Sequence, residues 1–174
     1  MKDFRNTEYL KSGNNRQRKA YTELNELKIF ESLKKYNPIL AGTVPIEIDL
    51  PESDLDIICE CENHPEFSKV ISELFLGKTD FNIDTYDWNG TESTIAKFKT
   101  TEFEIEIFGQ NIPTEKQNAY RHMIVEYKIL NQKGAEFKSE IVKLKSEGLK
   151  TELAFAKLLG LNGNAYEELL KIKI

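Results

Sequence analysis

Apolar side chains recur every three to four residues in several parts of the chain, and this spacing predicts amphipathic helices. One stripe runs over 16–36 and stops at Asn37-Pro38, and a second lies between Pro65 and Gly77. In the last third of the chain, Thr114 and Gln117 have the spacing of a capping box that opens a helix. We predict helices there over about 114–130, 136–146, 151–159 and 165–172.

Short apolar runs predict the strands. Residues 39–42 and 55–61 indicate two buried strands on either side of an extended loop with a proline near each end. Residues 79–88 and 91–99 indicate a β-hairpin, because Asn89-Gly90 between them is the strongest short-range signal for a two-residue turn. A helix thus precedes the first strands, another separates them from the hairpin, and helices end the chain.

A further strand is predicted where apolar residues alternate with glutamates, so that one face is apolar and the other is acidic. The alternating residues are Glu102, Phe103, Glu104, Ile105, Glu106 and Ile107. The acidic face is either functional or the solvated side of a meander strand. The order of elements predicts an α+β head over 1–112 and a C-terminal helical layer over 113–174, or a single domain over 1–174.

Composition and charge narrow the classes of function. The chain has 174 residues, of which 40% are apolar and 30% charged, as in soluble globular proteins. Its net charge of −5 argues against a long nucleic-acid substrate, because proteins that bind phosphate backbones usually carry a basic face. The polar start lacks the apolar core of a signal peptide, and no run of about 18 apolar residues occurs, so we expect a cytoplasmic protein.

Two aspartates carry the strongest chemical signal. Asp54 and Asp56 are two positions apart at the start of a predicted strand, which points both carboxylates the same way. Two adjacent anions are tolerated when a hard cation neutralises them, and Mg²⁺ prefers carboxylate oxygens together with substrate phosphates. The alternative is that Ser53-Asp54 caps a turn and Asp56 is solvated.

Gly42-Thr43, at the end of the preceding strand, is a candidate phosphate contact. A glycine beside a hydroxyl residue lets backbone N–H groups and the hydroxyl approach a phosphate closely. We also consider Ser53, Arg121 and Lys150 as nucleotide contacts, since guanidinium groups and helix starts suit phosphate oxygens. Arg121 is equally explained as a local partner, and Lys150 as the residue before an ordinary helix cap.

Soft metal ligands are few. The sequence contains Cys59, Cys61, His64 and His122, whose spacing matches no zinc pattern. His64, at the start of the second helix, is expected at the surface.

Gly42-Thr43, ten further residues and then Asp54-Leu-Asp-Ile together resemble the signature of the DNA-polymerase-β-like nucleotidyltransferase superfamily. That resemblance implies a mixed sheet flanked by helices, with a third acid on a later strand. Glu106 matches it best, since apolar residues flank it as they flank Asp56, and Glu104 is the alternative. The resemblance implies that Asp54 and Asp56 bind metal, and that Glu106 binds the catalytic metal and helps to deprotonate the acceptor.

The sequence departs from that signature at two points. Thr43 stands where Ser or Gly is usual, and residues 44–49 replace a short helix. Over nearly its whole length the chain resembles more closely a bacterial family of unknown function, numbered 4269. The matching segments are Leu40-Ala-Gly-Thr-Val-Pro-Ile, Ser53-Asp-Leu-Asp-Ile-Ile, Glu106-Ile-Phe-Gly-Gln, Gln117-Asn-Ala-Tyr-Arg-His-Met and Gly148-Leu-Lys-Thr-Glu.

These observations lead to one hypothesis and two alternatives. The first is a nucleotidyltransferase that uses Mg²⁺, or Mn²⁺, to move a nucleoside monophosphate from a nucleoside triphosphate to a hydroxyl acceptor, either a small molecule or a protein. The second is a catalytically silent module of the same fold that binds a nucleotide or a protein. The third is a metal-dependent phosphohydrolase that uses the same acids on water.

Overall fold

Five strands form one mixed sheet in the computed structural model, which describes residues 2–88 and 90–173. The strands are β1 (Ile39–Ala41), β2 (Leu55–Glu60), β3 (Thr79–Trp88), β4 (Thr91–Lys99) and β5 (Glu104–Gln110). Their order across the sheet is β1-β2-β5-β4-β3. β2 and β5 are parallel, whereas the other neighbouring pairs are antiparallel. The predicted α+β class is confirmed.

The hairpin between β3 and β4 extends to the pairing of Trp88 with Thr91. Gly90 has a φ of +80°, the left-handed conformation that the predicted turn requires. Asn89, the other residue of that prediction, lies outside the described residues.

Helices cover the sheet and form the end of the chain. They are α1 (Asn15–Glu26), α2 (Ile29–Ser32), α3 (His64–Phe75), α4 (Asn118–Lys133), α5 (Ala135–Ser146), α6 (Thr151–Leu159) and α7 (Ala165–Leu170). The single helix predicted over 16–36 is wrong, because Lys28 adopts a left-handed conformation with a φ of +51° and divides it. Ile29 and Leu33 beyond the break are fully buried, as Leu24 is before it. The apolar stripe therefore persists although the helix does not.

The predicted start of α4 is also wrong. Residues 114–116 form a short 3₁₀ turn, and α4 begins at Asn118. The side chain of Gln117 makes no capping bond; its Nε2 donates instead to the carbonyl oxygens of Cys59 and Ile112, each at 2.9 Å. The side-chain amide of Gln117 therefore forms tertiary hydrogen bonds instead of capping the helix.

His64 is buried, contrary to expectation. It is 3% exposed, and its Nδ1 lies 2.9 Å from Thr94 Oγ1 and 3.7 Å from Cys61 Sγ.

Two hydrophobic clusters lie on opposite faces of the sheet. Successive strand residues point to opposite sides, so Ile57 joins the cluster beneath α1–α3, whereas Ile58 joins the one formed with the C-terminal helices. Ile46 and Ile48, in the loop between β1 and β2, are buried in the second cluster. The loop that contains the candidate phosphate contacts is thereby anchored between the sheet and the C-terminal helices. Among the described helices, none is both long and apolar enough to span a membrane.

Candidate functional site

Three carboxylates converge at one end of β2 and β5. Asp56 pairs in register with Ala41 on β1 and with Glu106 on the parallel strand β5. Asp54 immediately precedes β2. One carboxylate oxygen from each of Asp54, Asp56 and Glu106 lies within 4.8 Å of the other two. We call this set the sheet cluster. Strand pairing, rather than a flexible loop, fixes the spacing of two of its three members.

Gly42 is packed against the sheet cluster. Its φ is +78°, and a Cβ atom placed there would lie 2.1 Å from Asp56 Oδ2. Glycine is therefore required at this position for both conformation and space. Thr43 follows it at the edge of the same cavity. The predicted phosphate contacts thus lie beside the predicted metal ligands.

The loop that follows Gly42-Thr43 is a compact turn and not the predicted extended segment. The backbone N–H groups of Ile46 and Ile48 both donate to Thr43 O, at 3.3 and 3.2 Å. Gln17 of α1 is fully buried, and its Nε2 donates to the carbonyl oxygens of Val44 and Pro45. These bonds hold the turn against α1.

A second side chain of α1 holds the segment that leads into β2. Arg16 donates to Ser53 O at 2.6 Å and forms an ion pair with Asp49 Oδ2 at 3.1 Å. Ser53 Oγ accepts from the N–H of Leu50 at 2.9 Å, so Ser53 closes a turn as well as lining the cavity. These contacts fix the segment that directly precedes Asp54.

The sheet cluster is electrostatically strained. Burial, reinforced by the charges of Asp54 and Glu106, raises the pKa of Asp56 to about 7. Burial and Glu106 also raise the pKa of Asp54. Lys97, the partner of Glu106 in β4, relieves part of this repulsion through an ion pair of 2.7 Å with Glu106 Oε2. Lys97 supplies one positive charge beside the three carboxylates of the sheet cluster, so repulsion among the carboxylates remains.

The sheet cluster forms one wall of a cavity of about 820 Å³. The C-terminal helices supply much of the other wall, including His122 and Glu126 from α4, Lys145 from α5 and Glu152 from α6. Burial, with a smaller effect of Glu152, raises the pKa of Glu126 to about 8. Burial also lowers the pKa of Lys145. The cavity has the size of a typical small-molecule site.

Two candidate nucleotide contacts lie elsewhere. Arg121 is on the exposed side of α4, where it donates to Asn118 Oδ1 at 2.9 Å, and Lys150 is exposed before α6. Neither is among the cavity-lining residues in the described part of the chain. Of the two predicted candidates for the third acid, the structure brings Glu106, not Glu104, into the sheet cluster.

Sequence reasoning missed the charged residues that the C-terminal helices contribute. Lys145 directly follows the buried Leu144, and Glu126 comes three residues after the buried Met123. A charged residue within the apolar stripe of a helix was the available signal, since such residues are seldom fully buried without a purpose.

The sheet cluster fits a hard divalent cation. All its donors are carboxylate oxygens, and its mutual repulsion is what a cation would remove. The donor set of the sheet cluster is thus of the kind that hard divalent cations prefer.

Solved structures of similar fold include the Cid1 poly(U) polymerase, which has RNA terminal uridylyl transferase activity. The Cid1 poly(U) polymerase with Mg 3′-dATP bound has a TM-score of 0.56 and 12% identity, over 94% of this chain and 52% of that one. The same polymerase with MgGTP bound gives 0.55 and 12%, over 80% and 46%. The GLD-2/RNP-8 complex gives 0.56 and 9%, over 88% and 63%. The chain spans about half the length of the Cid1 polymerases, and the likeness defines its fold as nucleotidyltransferase-like.

The sequence comparison is more specific. The model of the family described as "Domain of unknown function (DUF4269)" matches residues 22–172, so the chain belongs to that family. No curated protein matches the sequence.

Proposed function

We propose that this protein is a Mg²⁺-dependent nucleotidyltransferase that moves a nucleoside monophosphate from a nucleoside triphosphate to a hydroxyl group. The observation that carries the proposal is the convergence of Asp54, Asp56 and Glu106 beside the Gly42 turn, at the wall of a cavity of about 820 Å³. The similarity of the fold to nucleotidyltransferases supports the reaction class by analogy.

The sheet cluster would hold Mg²⁺, or Mn²⁺ in its place. When bound there, the cation supplies positive charge that stabilises the attacking and the leaving oxygens of the transfer. Asp54 and Asp56 serve as its principal ligands in this proposal. Strand pairing fixes Asp56 beside Glu106, and the turn at Ser53 holds Asp54, so these residues need little rearrangement to bind.

In this proposal, other residues that line the cavity bind the phosphates and accept a proton. Backbone N–H groups at Gly42-Thr43 and the Thr43 hydroxyl would bind the β and γ phosphates, with Lys145 as a cationic contact from the helical wall. Glu106 would accept the proton of the acceptor hydroxyl. The acceptor oxygen then forms a bond to the α-phosphorus, the bond from that phosphorus to the β-phosphate oxygen breaks, and pyrophosphate leaves.

The acceptor is proposed to be a small molecule or another protein. The net charge of −5 and the acidic cavity wall disfavour a long phosphate backbone. A cavity lined by carboxylates also favours acceptors that carry hydroxyl or amino groups over anionic ones.

The test is a titration of the full chain with each nucleoside triphosphate, with and without Mg²⁺ or Mn²⁺. Calorimetry follows binding, and pyrophosphate release is measured in the same samples over a panel of acceptors. We expect one triphosphate to bind only with metal, and the Asp54→Asn, Asp56→Asn protein to lose that binding. Glu104→Gln is the matched control, because Glu104 lies two residues from Glu106 on the same strand. Undiminished transfer by the double variant would refute the proposal.

A second candidate function is nucleotide binding without transfer. The ion pair between Lys97 and Glu106 favours it, since a lysine that holds the third acid opposes its use as a base. This function predicts metal-dependent binding that survives Glu106→Gln, with no pyrophosphate released over any acceptor. Free phosphate or monophosphate formed without an acceptor would instead identify the phosphohydrolase alternative.

A further inference from the structure

A second cluster of metal-ligating side chains faces the cavity from the C-terminal helices. His122 and Glu126 are four residues apart on α4, which places them on one face of the helix. Glu152 lies in the first turn of α6. One ligand atom from each of the three lies within 4.8 Å of the others. We call this set the helix cluster, and it shares no residue with the sheet cluster.

Two members of the helix cluster are buried without partners. His122 is 7% exposed and Glu126 is 4% exposed. In the described structure, His122 Nδ1 and Glu126 Oε1 are shielded from solvent and make no hydrogen bond. A buried polar atom without a partner destabilises the fold, and more so when it is charged. Both side chains line the cavity, so a ligand there would supply the missing partner.

In the described structure, Lys145 does not complete the helix cluster with an ion pair. The amino group of Lys145 donates to Ile48 O at 2.5 Å, and within the described ranges it forms no ion pair within 4 Å to Glu126 or Glu152. The ring of Tyr166 packs edge-on to His122, with centroids 6.0 Å apart. The two unsatisfied atoms therefore have no hydrogen-bond partner in the described structure, and the residues that carry them line the cavity.

We propose that the helix cluster is a second metal site, distinct from the sheet cluster, which binds a borderline divalent cation of the Zn²⁺ class. Its donors are one imidazole nitrogen and two carboxylate oxygens, a set suited to Zn²⁺ and related transition metals, whereas Mg²⁺ prefers oxygen donors alone. Three protein ligands leave a coordination position open toward the cavity. The bound ion joins α4 to α6.

The experiment is a Zn²⁺ titration of the full chain, followed by calorimetry and by NMR of the imidazole rings. The sequence contains two histidines, His64 and His122, so a variant at each assigns the spectra. We expect one equivalent of Zn²⁺ to shift the signals of His122 and to leave those of His64 in place. Glu152→Gln should weaken this binding by about tenfold or more.

Two controls keep the result independent of the nucleotidyltransferase proposal. The Asp54→Asn, Asp56→Asn protein should retain the Zn²⁺-induced shift of His122, since its substitutions leave the helix cluster intact. Glu152 is the least buried ligand of the three, so its variant decides the question even where variants of the buried ligands do not fold.

Three results would overturn the proposal: wild-type chain that binds no Zn²⁺, a Glu152→Gln protein that binds it undiminished, or a His122 signal that shifts only when Asp54 and Asp56 are present. The last result would place the ion at the sheet cluster.

Discussion

Replacement of Asp56 by asparagine is expected to stabilise the metal-free protein. The substitution keeps the size and shape of the side chain, so the packing against Gly42 is retained. It removes a charge that burial and the carboxylates of Asp54 and Glu106 oppose. Asp56, which is proposed as a metal ligand, should therefore destabilise the folded chain when no metal is bound.

The size of the effect follows from the pKa of Asp56. A carboxyl group whose pKa is raised in the folded chain binds protons more tightly there than in the unfolded chain, so its contribution to stability falls as pH rises. The fall runs between the ordinary value of 3.8 and the folded value of about 7. At a pH above both values, this difference in pKa lowers the free energy of unfolding by roughly 4 kcal/mol. Relaxation of the site reduces the expected gain to about 2–4 kcal/mol.

Urea unfolding followed by circular dichroism, with a chelator present, measures this gain. At about pH 8 the midpoint of Asp56→Asn should lie above that of the wild type by about 1–2 M urea, and at about pH 5 the gap should narrow. Added Mg²⁺ should stabilise the wild type and not the variant, since a ligand of the folded state raises stability by mass action. Asp84→Asn is the control, because Asp84 is exposed on β3.

The reasoning is refuted if Asp56→Asn is less stable than the wild type at about pH 8 without metal. That result would mean that groups within the folded chain, Lys97 first among them, fully compensate the charge of Asp56.

Three further substitutions test single contacts. Gly42→Ala should abolish metal-dependent nucleotide binding and cost about 2–4 kcal/mol in urea unfolding, because its Cβ would meet Asp56. The control is Gly160→Ala, a left-handed glycine with a φ of +66° and open space around it, which should cost only about 1 kcal/mol. Lys97→Gln should tighten Mg²⁺ binding several-fold by calorimetry and lower metal-free stability, because it frees the third carboxylate. Gln117→Ala should cost about 1–3 kcal/mol, since it removes the hydrogen bonds that a buried side chain donates to Cys59 O and Ile112 O. The exposed Gln132→Ala should cost less than about 0.5 kcal/mol.

The sequence predicted those parts of the fold that depend on local patterns. The alternation around Glu106 and the apolar run after Asp54 indicated β5 and β2, since residues two apart share a strand face. The break at Lys28 escaped prediction because the buried positions on both sides keep helical spacing. Neither pattern reveals which strands are neighbours, so the parallel pairing of β2 with β5 became visible only in the structure.

The candidate site, too, could be predicted only where it depends on local patterns. Asp54, Asp56 and Gly42 were selected by short-range spacing, and the structure brings them together. Lys145 and Glu152 belong to helices whose packing depends on the whole core, and a single exposed or buried charge has no distinctive spacing. The opposite wall of the cavity was thus beyond reach of motif reasoning.

The two walls of the cavity differ in how firmly they are fixed. Two of the three residues of the sheet cluster, Asp56 and Glu106, lie on a row of paired residues that crosses four strands from Ala41 to Lys97. Backbone hydrogen bonds between the strands set their geometry. The helix cluster depends on side-chain packing, because α4 and α6 are both packed against α5 and α7 and no strand pairing fixes them. A perturbation that loosens the C-terminal helices should therefore weaken Zn²⁺ binding at the helix cluster before it affects Mg²⁺ at the sheet cluster, and the two metals report separately on the two walls.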